Sequence, residues 1–279
     1  MDYKSRHINF LKKIIRYGSF GYERYSLQVA RNYINQLFQP KTEHIFLFIL
    51  SPPYNGSTLL HELISTSAKV SFNNSFGTRE GQTLPHVREI MFDHQYRWDQ
   101  SVKFDWHRIK REWMKYWDLR CPVLIEKSPP NMLRAKEIEK VFEPSYFIIF
   151  HRNPYAYCES AIRRERQQPQ TAAQFAIDCL KTQKENVNAL SHTLSLSYEQ
   201  ITSDTAMAID SIRKFIPQLN DIEIKSKFNA HNYHAESQQI RNNNDIKISK
   251  ISKTHLQEIN FIFKPEEALL NSFGYQILD

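Results

Sequence analysis

The sequence predicts an α/β fold with a central parallel sheet flanked by helices. Three observations carry this. Short apolar runs at residues 45–50, 123–125 and 146–150 are too brief for buried helices, so they read as strands covered on both faces. Stretches of helical character separate them, the alternation that builds βαβ units. With 279 residues, 41% of them hydrophobic and 24% charged, the chain has the length and apolar content for a full core.

Taken in order, residues 5–38 are expected to be helical, with Ile8, Leu11, Ile14 and Ile15 on one face. This N-terminal helical extension, residues 1–40, leads into one domain, and the chain as a whole is expected to be that single unit of residues 1–279. Ile45–Leu50 is the first strand, and a helix follows over about 57–66. Helical segments are expected near 103–117, 130–141, 154–166, 171–190 and 253–273, with strands at Val123–Ile125 and Tyr146–Phe150 and a weaker one at Leu194–Tyr198. Trp98, Trp106, Trp113 and Trp117 have a spacing that suits core or lid packing. No internal repeat, low-complexity block or Pro/Gly/Ser-rich linker interrupts the pattern.

Composition narrows the function classes. Six glycines in 279 residues exclude collagen-like and Gly-repeat architectures. Lys plus Arg less Asp plus Glu is 37 − 30, or +7, a balance that suits an anionic ligand, a nucleic acid or a membrane surface. The cysteines Cys121, Cys158 and Cys179 lack metal-like spacing, and an odd, sparse set reads as reduced thiols. The 11 histidines form no metal cluster in the sequence, so no metal is expected. No apolar run approaches the roughly 20 residues of a membrane span, and the N-terminus shows no apolar leader, so a cytoplasmic protein is expected.

In parallel sheets, ligands bind beyond the carboxyl ends of the strands. After the first strand comes Ser51-Pro52-Pro53-Tyr54-Asn55-Gly56-Ser57-Thr58-Leu59, a loop that turns at Gly56 and enters a helix through two hydroxyl residues. The unpaired amides and the dipole at such a helix start favour a phosphate, so Tyr54, Asn55, Gly56, Ser57, Thr58 and Leu59 are candidate binding residues. An ordinary Ser/Thr helix start is the bland alternative. Laid on the Walker A pattern, Ser57 stands where the lysine belongs, which disfavours a P-loop kinase. After the third strand, Arg152 is followed eight residues later by Ser160, with Arg164 four residues beyond on the same helix face. These make a second candidate phosphate clamp, and a basic face in water is the alternative.

Together the two loops resemble the cofactor signature of sulfotransferases that use 3′-phosphoadenosine 5′-phosphosulfate (PAPS). There a Pro-Arg-Ser-Gly-Thr-Thr-like loop holds the 5′-phosphosulfate, and Arg, a following Pro and a Ser eight residues after the Arg hold the 3′-phosphate. The counterparts are Pro53–Thr58 and Arg152-Asn153-Pro154…Ser160. The resemblance runs from about residue 44 to 275 and is strongest to the tyrosylprotein and carbohydrate branch. It implies a P-loop-like three-layer fold. Glu126-Lys127-Ser128-Pro129 resembles the loop whose lysine steadies the transferring group, and Lys127 lies 25 residues before Arg152. Ser197-Tyr198-Glu199 resembles the pair whose tyrosine lies by the adenosine. Ser237, Arg241 and Ser249-Lys250, ahead of the helix ending Phe273-Gly274-Tyr275, resemble the segment closing over the nucleotide.

Two departures stand out. Tyr54 occupies the place of the family's loop arginine, so Lys127 and Lys250 are expected to carry more of the compensating charge. Glu80, before Pro85, matches the family's general base across a longer loop, with His86 and His107 as substitutes. The resemblance implies sulfuryl transfer from PAPS to a hydroxyl acceptor, a saccharide or another cell-surface metabolite, by in-line displacement with Lys127 and Glu80 as catalytic groups. The competing readings are a nucleotide- or nucleic-acid-binding protein without transfer activity and a P-loop kinase. Nucleic acid is the weaker expectation for a partner, a small-molecule or glycan acceptor the stronger. The sequence does not rank the acceptors or set the oligomeric state.

Overall fold

The computed structural model describes residues 19–37, 42–225, 227–229 and 237–279. The first half of the expected N-terminal helix lies outside them. What is described begins with α1 (Ser19–Leu37). The sheet comprises β1 (Ile45–Leu50), β2 (Val70–Phe72), β3 (Val123–Glu126), β4 (Ser145–His151) and β5 (Thr193–Ser197), in the order β2-β3-β1-β4-β5. Every neighbouring pair is parallel, with Phe46 opposite Leu124 on one side and opposite Ser145 on the other.

The uniform apolarity of the strands has the expected cause, since alternate residues feed two cores. Phe46, Phe48, Leu50, Leu124, Phe147 and Ile149 face α3 (Trp106–Tyr116) and its neighbourhood, packing with Trp113, Trp117 and Phe142. Leu47, Ile49, Val123, Ile125, Ile148 and Phe150 face the other way. There they pack with α2 (Ser57–Ile64) and the Thr205–Phe215 helix through Leu60, Leu63, Ile209 and Ile212. Trp106, Trp113 and Trp117 are core residues, while Trp98 is half-buried, edge-on to Phe175. The described part of the N-terminal extension lies on the α3 side. Gln28 and Asn32 each donate 2.8 Å hydrogen bonds to the Tyr116 carbonyl, satisfying an otherwise open helix end.

The remaining elements are α4 (Ala135–Val141), α5 (Pro154–Glu165), α6 (Pro169–Ala189), α7 (Tyr198–Ser203), α8 (Thr205–Phe215), β6 (Lys227–Asn229), β7 (Ser237–Gln239), α9 (Asn244–Ile248), α10 (Lys253–Phe263) and α11 (Glu267–Ser272). The structure corrects several expected boundaries. The fourth strand of the sequence reading stops at Ser197, because a reciprocal capping box between Ser197 and Gln200 starts a helix at Tyr198. The last expected helix is divided by a turn at Lys264–Glu266, where Pro265 interrupts it. The stretch expected as a helix from 130 begins as a 3-10 segment, Pro129–Arg134, and becomes α-helical at Ala135. No helix among the described residues is long and apolar enough to cross a membrane.

Candidate active site

The stretches that follow the carboxyl ends of β1, β3 and β4 carry the two candidate loops and Lys127; Glu80 lies after β2, Tyr198 after β5, and Ser237, Arg241 and Lys250 further along the chain. At β1 the chain leaves through buried Ser51, takes a left-handed conformation at Tyr54 (φ 61°) and again at Gly56 (φ 86°), and enters α2. Gly56 is required twice over, by its φ and because a Cβ there would lie 2.6 Å from the Tyr198 ring. As the N-cap it offers no side chain to the helix start. Leu59 differs from expectation: its side chain is in the core and its amide donates to the Gly56 carbonyl, 2.9 Å away. Ser57 and Thr58 therefore hold the open amides of this end. Asn55 is buried, with Oδ1 unpartnered. Tyr54 is half-buried, its hydroxyl 2.5 Å from Glu165, and burial with that carboxylate pushes its pKa up to about 12.

At β4, Arg152 is only 5% exposed. Its Nε donates to Asn244 Oδ1 (2.7 Å), Nη1 reaches the Tyr54 carbonyl (3.3 Å), and the guanidinium lies 3.8 Å above the Tyr198 ring. Nη2 is buried without a partner. Behind it runs a polar chain. Asn244 Nδ2 donates to Glu199 Oε1 (2.5 Å), which also accepts from the Asn153 amide (2.9 Å). The Tyr275 hydroxyl lies 3.2 Å from Glu199 Oε2 and 2.6 Å from His151 Nδ1. Burial depresses His151 to a pKa of about 4, so the ring is neutral. Tyr198 thus sits between Gly56 and Arg152 as the floor under the guanidinium, its hydroxyl bonded to the Arg241 carbonyl at 2.9 Å.

Ser160 is fully buried on α5 and accepts a hydrogen bond from Lys247 Nζ of α9. Lys247 was not a sequence candidate. Burial, reinforced by Arg152, lowers its pKa to about 7, with Glu159 opposing the shift. The neighbouring candidate Lys250 is exposed, one turn further on, and so is Arg241. Arg164 is exposed too, 5.5 Å from the Tyr54 ring centroid. Ser237 opens β7, and its side chain lies outside the described residues. The helical spacing of Asn244 and Lys247, i and i+3, is the signal that would have found both. A small cleft runs beside this clamp, lined by Pro52, Asn55, Arg152, Pro154, Tyr157 and Phe175.

At β3, Lys127 is 2% exposed, its Nζ on the Thr78 carbonyl at 2.7 Å and 3.9 Å from Glu80 Oε1. Burial lowers its pKa, while Glu80 and Glu126 pull it back up. The loop holding Glu80 is fixed from below by Glu126. That carboxylate accepts from the Gly81 amide (2.6 Å), from Ser128 N and Oγ (2.8 and 2.6 Å), and from Asn131. Burial pushes the Glu126 carboxyl up against the Ser128 and Gly81 hydrogen bonds. Asn74 holds the Glu80 carbonyl at 2.8 Å, and Gln82 donates to Glu80 Oε2 at 2.6 Å. The structure therefore brings Lys127 and Glu80 together at one end and Arg152, Ser160 and Lys247 at the other. Neither of the substitute bases, His86 and His107, makes a side-chain contact with Lys127 or Arg152 among the described residues; both are exposed. No group of His, Cys, Asp and Glu suited to a metal occurs among the described residues.

The sequence profile described as the sulfotransferase family matches residues 47–218. Among solved structures, the chain is similar to the sulfotransferase domain of the olefin synthase from Synechococcus PCC 7002. The match has 17% identity and a TM-score of 0.52, covering 86% of this chain and 98% of that one. A sulfotransferase from Mycobacterium avium gives 13% identity and a TM-score of 0.50 over 90% of this chain and 82% of that one. At these identities the likeness is one of fold. No curated protein matches the sequence.

Proposed function

The chain belongs to the sulfotransferase family, and from that premise we propose that it moves a sulfuryl group from PAPS to the hydroxyl of a saccharide or another cell-surface metabolite. The observation carrying the choice of donor is the clamp at the β4 end. Arg152, Ser160 and Lys247 come from three separate elements and converge, and Arg152 Nη2 is buried without a partner. A buried donor left unmet costs roughly 1–3 kcal/mol. An anion that meets it recovers that cost, and a 3′-phosphate supplies the oxygens. At the other end, the open Ser57 and Thr58 amides suit the 5′-phosphate.

When bound, PAPS supplies a sulfuryl group on a good phosphate leaving group. The chain's residues then position and stabilise. Lys127, buried at the end of β3, would offset the negative charge that builds on the leaving oxygen, and one such buried group contributes about 3–4 kcal/mol. Glu80 takes the proton from the acceptor hydroxyl as the oxygen attacks in line with the leaving group. Gln82 and Asn74 hold it to one conformation, leaving the acceptor side to select the substrate.

Calorimetric titration with PAP, the desulfonated donor, tests the reading directly, with ATP as control. Micromolar PAP affinity with no comparable ATP response is expected, and absence of PAP binding would sink it. The same titration carries a pH prediction. At pH 6 Lys247 is charged and ready for a phosphate. Above about 7 the free protein holds it neutral, so binding must bring in a proton. The phosphate itself is fully ionised there, its second pKa being about 6. PAP affinity should therefore fall towards pH 9, by up to about tenfold per pH unit, with measurable proton uptake. Lys247→Met should flatten that slope; an unchanged slope would remove Lys247 from the site.

A further inference from the structure

Arg79, the residue before Glu80, is unaccounted for by the chemistry above. It adopts a left-handed backbone conformation (φ 58°) that non-glycine residues avoid. Its guanidinium crosses to α2, where Nη1 pairs with the Glu62 carboxylate and lies 3.3 Å from His61 Nδ1. A guanidinium only donates, so His61 Nδ1 accepts and the ring proton is on Nε2. His61 is a neutral partner: it is 4% exposed, its ring centroid 3.6 Å from that of Phe72 in a tilted contact, and held well below its ordinary pKa by burial, with Lys127 and Arg79 adding to the effect.

The other restraints on the Thr78–Gly81 segment come from β3, from its own loop and from α3, through Lys127, Glu126, Asn74 and the Trp113 indole, which donates to the Gly81 carbonyl. Among the described residues, the Arg79 side chain is the tie that runs from this segment to α2. That helix is the one whose first amides face the proposed 5′-phosphate site. We propose that Arg79 is a positioning residue, clamped by Glu62 and His61, that fixes the Glu80 carboxylate relative to the donor-binding helix. The inference rests on the sulfotransferase reading and on Glu80 as the base. The clamp sets the approach of base to reacting group through a charged pair 17–25% exposed, so solvent relaxes it little.

The test uses the full chain and release of PAP from PAPS with water as acceptor, a reaction that requires no knowledge of the natural one. Arg79→Met, Glu62→Gln and the double variant are compared with the parent, alongside PAP calorimetry and hydrogen exchange at residues 78–84. Each single variant is expected to lower turnover by about 100-fold, the scale of a misplaced reacting group. PAP affinity should stay within about twofold, and the Gly81 and Gln82 amides should exchange faster. The double variant should be no worse than the poorer single one, because both remove the same clamp. Arg79→Lys should recover part of the loss. Should Arg79→Met not fold, Glu62→Gln carries the test. Unchanged turnover in Glu62→Gln, additive losses, or a parallel fall in PAP affinity would overturn the clamp. So would full turnover in Glu80→Gln. Failure of the parent to bind PAP would instead overturn the donor reading, and the two failures are told apart by that titration alone.

Discussion

Lys127→Ala should abolish sulfuryl transfer while leaving PAP binding nearly intact. The ammonium is buried at the end of β3, held on the Thr78 carbonyl, and near the Glu80 carboxylate. Removing a preorganised charge that acts on a developing oxyanion typically costs about 100- to 1000-fold in turnover. PAP has no sulfuryl group, so its affinity depends mainly on the other end of the site and should move by less than about threefold, or roughly 0.6 kcal/mol. The comparison is made by single-turnover kinetics with labelled PAPS beside calorimetry with PAP. A variant that retains turnover would remove Lys127 from the chemistry. One that loses PAP affinity together with turnover would move it to the nucleotide clamp, or show that the Thr78–Gly81 segment collapses without it.

Arg152→Ala should do the reverse, weakening PAP itself. Two charge-assisted hydrogen bonds of about 1.5–3 kcal/mol each are at stake, so a loss of 100-fold or more in affinity is expected. Arg152→Lys should rescue little. An ammonium cannot bond Asn244, lie flat on Tyr198 and still keep a donor for a phosphate in the same plane, as the guanidinium does through Nη2. Alanine also leaves Asn244 and Glu199 without their cation, so thermal unfolding must accompany the titration. A folded Arg152→Ala protein with parental PAP affinity would refute the clamp.

The sheet was legible because buried parallel strands leave a clear mark: β1, β3 and β4 appear as apolar runs, while β5, Thr-Leu-Ser-Leu-Ser, gives only a weaker alternating one. The edge strand β2 is three residues, Val70–Phe72, too short for any periodicity to register. The six-residue helix α7 and the three-residue strands β6 and β7 escaped for the same reason. Within the site, residues next to strand ends were found by position, as with Lys127, Arg152 and the Gly56 turn. What sequence order hides is convergence from afar. Lys247 meets Ser160 across 87 residues and Asn244 meets Arg152 across 92. Asn244 belongs to a run of asparagines that reads as a loop, and choosing Lys250 over Lys247 missed the inward face by one helical turn. Arg79 lies in the loop before Glu80, and its partners Glu62 and His61 sit on a helix read for the hydroxyls and amides of its first turn.

The order of the strands has a consequence for which molecules this site accepts. β3 and β4 lie on either side of β1, so the ends bearing Lys127 and Arg152 stand two strand spacings apart. At about 4.8 Å per spacing the sheet marks off close to 10 Å. Backbone hydrogen bonds on both sides of β1 set that interval, so side-chain substitution scarcely alters it. On the proposed donor reading, the carboxyl ends of the strands would act as a gauge, suiting a nucleotide only when its two anionic ends match the interval. Adenosine 5′-phosphosulfate, with nothing at the 3′ position, should then bind more weakly, since it would reach one mark and leave the other bare.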